Sequence, residues 1–251
     1  MAGSRRYRGV LFDLFGTLIT FEPSRIPVLR LGERRVSATV AGLGTHLARW
    51  IPGVSVEQFW EQLLAVSAEM AAARDASHVE LPSRERFRRA LERCGCNDET
   101  LVEAAVDLSR AHMEMIVDAT VFPPSHAAVL AQARAAGAVG LVSNFDDTGS
   151  AYEILRRHDI LPHLDTVVVS EALGLRKPHP ALVRAALRGL GLDPADVLFV
   201  GDTFDEDVVA ARAAGVDVAW IDTHGRGIRD SALAPTYVVR ALPEVTAILE
   251  G

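Results

Sequence analysis

Near its start the chain reads Val10-Leu11-Phe12-Asp13-Leu14-Phe15-Gly16-Thr17. The first three residues form the apolar run of a buried strand, and this run ends abruptly in Asp13. A carboxylate at the end of a buried strand is costly unless it is paired, bound to a metal or used chemically. Open α/β sheets also bind their ligands at the carboxyl ends of their strands. Asp13 is therefore the first candidate for a functional residue.

Strand and helix signals alternate from about residue 118 onward. Apolar strand segments lie at 138–142, 166–170, 197–200, 216–221 and 237–239, and helical segments lie at 149–158, 180–190, 205–214 and 242–249. Strands that alternate with helices in this way predict a parallel sheet with crossover connections. Together with the strand that ends at Asp13, they predict a doubly wound, Rossmann-like α/β core.

A block without strand signals separates the first strand from the later ones. Its periodicity predicts three helices, over residues 56–73, 83–94 and 98–117. Ser55 is a suitable N-cap for the first of them. We therefore expect two domains: an α/β core in residues 1–20 and 115–251, and an inserted all-helical domain in residues 21–114. The second helix is rich in arginine, which favours a solvated face, with an anionic partner as the alternative.

The composition is that of an ordinary soluble globular protein, with 251 residues of which 49% are hydrophobic and 24% charged. A formal net charge of −7 argues against nucleic acid as the main partner. No apolar stretch approaches the ~20 residues of a membrane helix, and the start of the chain lacks a signal-peptide core. We expect a cytoplasmic protein that acts on a small molecule, without a membrane partner; the sequence does not indicate an oligomeric state.

Polar side chains follow the core strands where each strand ends. They are Asp13 and Thr17 after the first strand, Ser143 and Asn144 after the second, Lys177 in a loop ahead of a helix, and Asp202, Asp205, Glu206 and Asp207 after the strand at 197–200. In a doubly wound sheet these loops converge on one edge. Lys177 is also the single lysine of the chain, since every other Lys or Arg position is arginine.

This combination of groups suits phosphoryl transfer. An Asp carboxylate can attack phosphorus to form an aspartyl-phosphate. Magnesium takes hard oxygen ligands, which Asp13, Asp202 and Asp207 offer. The Lys177 ammonium is suited to offset phosphate and carboxylate charge, and the hydroxyls of the set can donate to phosphoryl oxygens.

Four segments of the chain resemble the motifs of the haloacid dehalogenase (HAD) superfamily of hydrolases. They are VLFDLFGTL at 10–18, VGLVSN at 139–144, LGLRKPHP at 173–180 and VLFVGDTFDEDVVAARAAG at 197–215. The resemblance covers the whole core, and the last two motifs at this spacing are highly specific. It implies that residues 21–114 are the helical cap of this family.

The same resemblance implies a role for each motif residue. Asp13 corresponds to the nucleophile, Ser143 to a phosphoryl-oxygen ligand and Lys177 to the charge-balancing lysine. Asp202 and Asp207 correspond to the magnesium acids, and Phe15 would add its backbone carbonyl to the metal site. The implied activity is magnesium-assisted hydrolysis of a small organophosphate through an aspartyl intermediate on Asp13.

Phe15 is the point at which the chain departs from the phosphatases that it resembles. Those enzymes carry a second Asp at this position as general acid and base, and a phenylalanine can neither donate nor accept a proton. Loss of such a group costs about 10²–10⁴ in rate. A substrate with a good leaving group would tolerate the loss, or a residue of the insert would supply the proton; the candidates are His46, Asp75, His78 and His112.

Of three other functions, two stay open on the sequence and one, phosphonoacetaldehyde hydrolysis, is nearly excluded. A metal-free 2-haloacid dehalogenase also carries an aromatic residue at this position, although the acids Asp202 and Asp207 argue against it. Phosphonoacetaldehyde hydrolases depend on a cap lysine, and residues 21–114 contain none. The third alternative is a catalytically weak relative that binds a phosphorylated ligand or a protein partner.

Overall fold

The structure is a computed structural model that describes residues 7–31, 33–96, 99–225, 227 and 233–250. These residues divide into an α/β unit within 1–20 and 121–251 and a mostly helical unit within 21–120. The strands are β1 (Gly9–Phe12), β2 (Thr20–Phe21), β3 (Val28–Leu31), β4 (Arg34–Ser37), β5 (Thr120–Val121), β6 (Ala138–Ser143), β7 (Thr166–Val169), β8 (Val197–Gly201), β9 (Asp217–Ile221) and β10 (Tyr237–Val239).

Ten α-helices are assigned among the described residues. They are α1 (Gly44–Trp50), α2 (Val56–Ser77), α3 (Ser83–Arg93), α4 (Leu101–Asp118), α5 (Pro124–Ala136), α6 (Thr148–Arg157), α7 (Ser170–Leu173), α8 (Ala181–Leu190), α9 (Val209–Ala213) and α10 (Val245–Glu250). The expected domain boundary between residues 114 and 115 falls inside α4, and the two units divide instead between residues 120 and 121. No described helix is both long and apolar enough to span a bilayer.

A six-stranded parallel sheet forms the centre of the α/β unit, in the order β10-β9-β8-β1-β6-β7. From β1 the chain adds β6 and β7 on one side and then β8, β9 and β10 on the other. This is the doubly wound strand order, and the predicted α/β fold is confirmed. The order reverses between β1 and β8, and such a switch point is where open α/β sheets bind ligands.

Register explains why the ends of three strands meet. Phe12 at the end of β1 pairs with Leu141 of β6 on one side and with Val200 of β8 on the other. All four residues of β1 are buried, as the apolar run predicts for a central parallel strand. The residues that follow these pairs, Asp13 and Asp202 among them, therefore emerge at one edge of the sheet.

The helical unit has its own apolar core, formed largely by α2, α3 and α4. Ser55 caps α2 as predicted, because its Oγ accepts from the N–H of Gln58 while the Gln58 side chain accepts from the N–H of Ser55. The all-helical expectation is wrong in one place, where β3 and β4 form an antiparallel hairpin. The predicted start of the third helix at Asp98 lies outside the described residues.

The segment after β8 also differs from its prediction. The sequence indicates an α-helix over residues 205–214, and the structure instead places a π-helix at Phe204–Val208 before α9. In this π-helix Asp205 is exposed, Glu206 is half-buried and Asp207 is buried. Single π-turns inside helices are frequent at functional sites.

Candidate active site

The chain turns sharply after β1, which brings Asp13 to the switch point. The N–H of Asp13 donates to the Val200 carbonyl at 2.9 Å, so the residue still extends the pairing with β8. Gly16 follows with φ +82°, and a Cβ built there would collide with the Asp202 carboxylate. Glycine is therefore required both for the backbone conformation and for the close approach of Asp202.

Lys177 joins two of the predicted carboxylates. Its Nζ donates to Asp13 Oδ1 at 2.6 Å and to the Val142 carbonyl at 2.9 Å, and it lies 2.7 Å from Asp207 Oδ1. The contacts with Asp13 and Val142 are hydrogen bonds, and the contact with Asp207 is an ion pair. Asp13, Lys177 and Asp207 are 6%, 1% and 1% exposed, so the interaction is almost completely removed from water.

Burial and neighbouring negative charge raise the pKa values of Asp13 and Asp202. Burial, with the charges of Asp207 and Asp202, raises the pKa of Asp13 well above its usual range, against the opposing effect of Lys177. Burial and the Asp207 charge raise the pKa of Asp202 to about 6. Burial alone would lower the pKa of Lys177, but the Asp13 and Asp207 charges hold it above its usual value. Three acids thus share one cation, and the site carries excess negative charge.

The three aspartates fit a divalent cation. One carboxylate oxygen from each of Asp13, Asp202 and Asp207 lies within 4.8 Å of the other two. Carboxylate oxygens are the donors that magnesium prefers, and a bound cation would offset the excess charge of the cluster. The N–H of Thr203 donates to Asp207 Oδ2 at 2.9 Å and orients that carboxylate. That the Phe15 backbone carbonyl is a further metal ligand stays a prediction.

Thr17 and Ser143 are fully buried, and within the described part of the chain their hydroxyls have no hydrogen-bond partner. Buried hydroxyls are normally satisfied, so each such exception calls for an explanation. Ser143 directly follows Val142, whose carbonyl accepts from Lys177. The two hydroxyls are therefore available to donate to a ligand oxygen, and their role toward a phosphoryl oxygen stays a prediction.

Asn144 holds the loop that carries Lys177. Its side-chain oxygen accepts from the Lys177 N–H at 2.7 Å, and its amide nitrogen donates to the Lys177 carbonyl at 3.0 Å. The same amide donates to Glu206 Oε2 at 2.9 Å, and Arg176 donates to Glu206 Oε1 at 3.0 Å. We call these three side chains, Asn144, Glu206 and Arg176, the loop clamp. Sequence reasoning did not find the clamp roles of Glu206 and Arg176.

Phe15 packs against Phe145 with the ring centroids 4.8 Å apart in an edge-to-face arrangement. This geometry is favourable for aromatic pairs. The position that the motif resemblance assigns to a general acid and base is therefore occupied by one ring of an apolar pair.

The structure gives the surroundings of two of the four proton donors that the sequence suggests in the insert. His46 Nδ1 lies 2.7 Å from Asp107 Oδ2, a hydrogen-bonded contact within the helical unit. Burial and the Arg86 charge lower the pKa of His112 to about 3, so its ring is neutral near neutral pH and a poor acid. The roles suggested for Asp75 and His78 stay predictions.

Comparison with known proteins identifies the family to which this fold and site belong. Residues 7–215 match the family model described as haloacid dehalogenase-like hydrolase. The chain is 34% identical over 94% of its length to a phosphoserine phosphatase from Thermus thermophilus, covering 96% of that protein. It therefore belongs to the haloacid dehalogenase-like hydrolases, and the resemblance read from its motifs is confirmed.

Other similar proteins and solved structures include both phosphatases and a dehalogenase, according to their names. A phosphoglycolate phosphatase from Salmonella typhimurium is 28% identical over 83% of the chain and 78% of that protein. A 2-haloacid dehalogenase from Pseudomonas syringae pv. tomato has a TM-score of 0.69 at 20% identity, over 97% of the chain and 98% of that structure. A phosphatase of the family from Thermococcus onnurineus has a TM-score of 0.66 at 21% identity, with coverage of 97% and 98%. At these identities the two structures show the shared fold.

Proposed function

We propose that this hydrolase is a magnesium-dependent phosphohydrolase that acts on a small organophosphate through an aspartyl intermediate on Asp13. The observation that carries the proposal is the contact of Lys177 with Asp13 and Asp207 beside Asp202. Dehalogenation needs no such set of three acids, because halide leaves without a metal or a proton. Residues 21–120 would act as the cap that selects the substrate.

The proposed chemistry assigns a task to each residue. An Asp13 carboxylate oxygen attacks phosphorus, the bond from phosphorus to the leaving oxygen breaks, and an aspartyl-phosphate results. Water then attacks that phosphorus, which releases inorganic phosphate and regenerates Asp13. Thr17 and Ser143 donate to phosphoryl oxygens, and Lys177 offsets their charge. A magnesium ion held by Asp13, Asp202 and Asp207 would supply electrostatic stabilisation of the transferred group.

Two considerations bear on the substrate. By their names, the phosphoserine and phosphoglycolate phosphatases among the relatives act on small phosphorylated acids, which supports a small organophosphate here. Phe15 cannot protonate a departing alkoxide, so the rate should fall steeply as the pKa of the leaving group rises. Acyl phosphates and other phosphates with good leaving groups are accordingly the first substrates to test.

Trapping with beryllofluoride tests the nucleophile without a known substrate. Beryllofluoride with Mg²⁺ should bind at Asp13 and raise the melting temperature, and Asp13→Asn should abolish the increase. Asp205→Asn is the matched control, because Asp205 is an exposed acid of the same loop and should keep the increase. Absence of any increase in the wild type would count against the proposal.

A substrate screen separates the proposal from dehalogenation. Phosphate esters and 2-haloacids are assayed side by side, with Mg²⁺ and with EDTA. The proposal expects phosphate release that EDTA abolishes. Halide release that persists in EDTA would establish the dehalogenase instead, and beryllofluoride binding without turnover on any compound would favour the weakly active binding protein.

A further inference from the structure

Trp220 of β9 lies beside the loop that carries the acids after β8. In the sheet register it is the partner of Gly201, the last residue of β8. The residue is only 3% exposed, and a buried indole N–H normally finds a hydrogen-bond partner. Trp220 Nε1 donates to the Asp202 carbonyl oxygen at 3.0 Å. The indole therefore reaches from the neighbouring strand to the backbone of a proposed metal ligand.

The carbonyl that Trp220 binds belongs to the peptide group between Asp202 and Thr203. The N–H of the same peptide group is that of Thr203, which donates to Asp207 Oδ2 at 2.9 Å. A trans peptide group is a rigid plane whose C=O and N–H point in opposite directions. Trp220 therefore holds one end of a rigid unit, and the other end of that unit holds the Asp207 carboxylate.

Further contacts tie this peptide group to its surroundings. The Thr203 hydroxyl donates to Asp202 Oδ1 at 3.3 Å, so both acids are bonded to Thr203. A Cβ built on Gly201 would overlap the Asp207 carboxylate, which shows how closely that side chain packs against the end of β8. The Trp220 ring also packs edge to face against Phe204, with the centroids 5.1 Å apart. A rotation of the peptide group would break its bonds to the indole and to Asp207 together.

We propose that Trp220 is a positioning residue for the metal site and acts through the peptide group of Asp202 and Thr203. Its bond to the carbonyl fixes the backbone at Asp202 and, through the Thr203 N–H, the direction of the Asp207 carboxylate. Hydrogen bonds in such a chain polarise one another, which strengthens the bond to Asp207. The proposal rests on the proposed function, because it requires a magnesium ion at Asp13, Asp202 and Asp207.

Calorimetric titration of the full-length protein with Mg²⁺ tests the proposal. Trp220→Phe keeps an aromatic ring and removes the N–H. Groups that orient metal ligands change metal affinity about 10–100-fold when they are mutated, so the dissociation constant for Mg²⁺ should rise about tenfold. Trp50→Phe is the matched control, because the Trp50 indole donates at 2.9 Å to Asp107 in the helical unit. It loses a bond of the same kind and should keep the wild-type dissociation constant.

Phe204→Leu separates the indole N–H from the packing of its ring. It removes the edge-to-face contact and leaves the Trp220 N–H in place. The loss of Mg²⁺ affinity should be at least about threefold larger in Trp220→Phe than in Phe204→Leu, which corresponds to one neutral hydrogen bond. Excess Mg²⁺ should restore the turnover of Trp220→Phe, because the ligands themselves are unchanged. Circular dichroism checks that each variant is folded.

A measurement on the wild type does not depend on the folding of a Trp220 variant. The chain has three tryptophans, and nuclear magnetic resonance spectra of Trp50→Phe and Trp60→Phe assign their indole N–H signals by difference. Mg²⁺ should shift the Trp220 signal with the dissociation constant found by calorimetry and leave the other two signals in place.

The outcomes separate this role of Trp220 from the proposed function. A wild type that does not bind Mg²⁺ would overturn both. Mg²⁺ binding by the wild type with an equal dissociation constant in folded Trp220→Phe, or with an unmoved Trp220 signal, would overturn the positioning role alone. Equal weakening in Trp220→Phe and Phe204→Leu would also overturn it, because the effect would then come from ring packing.

Discussion

Two groups of carboxylates and cations among the described residues differ sharply in their surroundings. In the α/β unit Asp13, Lys177 and Asp207 form a buried cluster. In the helical unit Glu85 binds Arg88 and Arg89 on the surface of α3, with side chains that are 23%, 35% and 41% exposed. We refer to these groups as the buried cluster and the surface cluster.

The choice of cation follows the geometry of each cluster. Arg88 donates to both oxygens of Glu85 at 2.8 Å, which is the planar, two-pronged contact that a guanidinium makes best. Lys177 instead meets three acceptors that converge on one point at 2.6 to 2.9 Å. A compact ammonium can hydrogen-bond two of these oxygens and pair with the charge of the third, and a planar guanidinium does not match that arrangement. This explains why lysine suits position 177 and arginine suits position 88.

The energies of the two clusters also differ in kind. Exposed ion pairs contribute about 0–1 kcal/mol each, because water screens the charges. A buried ion pair pays a large desolvation penalty, and apolar residues of equal volume are often as stable. Stability therefore does not account for the buried cluster. Its presence at the switch point of the sheet favours a chemical role.

The largest expected effect is that of Lys177→Met. It removes the cation from a buried site and leaves Asp13, Asp207 and Asp202 without compensation. The free energy of unfolding at neutral pH should fall by about 3–5 kcal/mol, as measured by urea denaturation, and phosphohydrolase activity should be lost. A decrease below about 1 kcal/mol would place the buried cluster in the same class as the surface cluster.

Phe15→Asp tests whether the buried cluster lacks only a proton donor. With the metal site intact, turnover of alkyl phosphate monoesters should rise by about 10²–10⁴, because a carboxyl group can protonate the leaving oxygen. Phe15→Asn is the matched control, since an amide of the same size cannot take part in proton transfer. An unchanged rate in Phe15→Asp, with Mg²⁺ binding confirmed by calorimetry, would contradict this explanation.

The α/β core could be predicted from the sequence because its signals are local. The strand at Val197–Gly201 is a continuous apolar run, and the residues that follow it carry the acids. The hairpin of β3 and β4 was missed because arginines such as Arg30 and Arg35 break the alternation that identifies a strand. The π-helix was missed because its hydrophobic spacing is close to that of an α-helix.

The candidate site, like the fold, could be predicted from the sequence only in part. Asp13, Ser143, Lys177 and Asp202 each stand at the end of a recognisable strand or in a recognisable loop, so the topology predicts that they converge. The loop clamp depends on contacts between residues far apart in the chain, such as Asn144 and Glu206, which are 62 positions apart. No local pattern indicates which acid of the loop after β8 makes such a contact.

A smaller effect is expected where the loop clamp supports the buried cluster. Glu206→Gln turns one oxygen that accepts from Asn144 or Arg176 into a donor, so the loop of Lys177 loses part of its anchorage. We expect kcat to fall about tenfold with KM unchanged, since a positioning residue acts on the transition state. Asp205→Asn, an exposed neighbour in the same π-helix, should leave kcat unchanged. A higher KM at constant kcat would instead mean that Glu206 contacts the substrate.

The smallest effect is expected in the surface cluster. Arg89→Gln removes one partner of Glu85 and leaves the two-pronged contact of Arg88 in place. The free energy of unfolding should fall by less than about 1 kcal/mol, and the decrease should shrink further at high salt. A double-mutant cycle with Glu85→Gln isolates the coupling between the two side chains. A coupling energy above about 2 kcal/mol that resists salt would exceed the range of exposed pairs. In that case exposure would not separate the two clusters, and the functional argument for the buried cluster would depend on its position in the sheet alone.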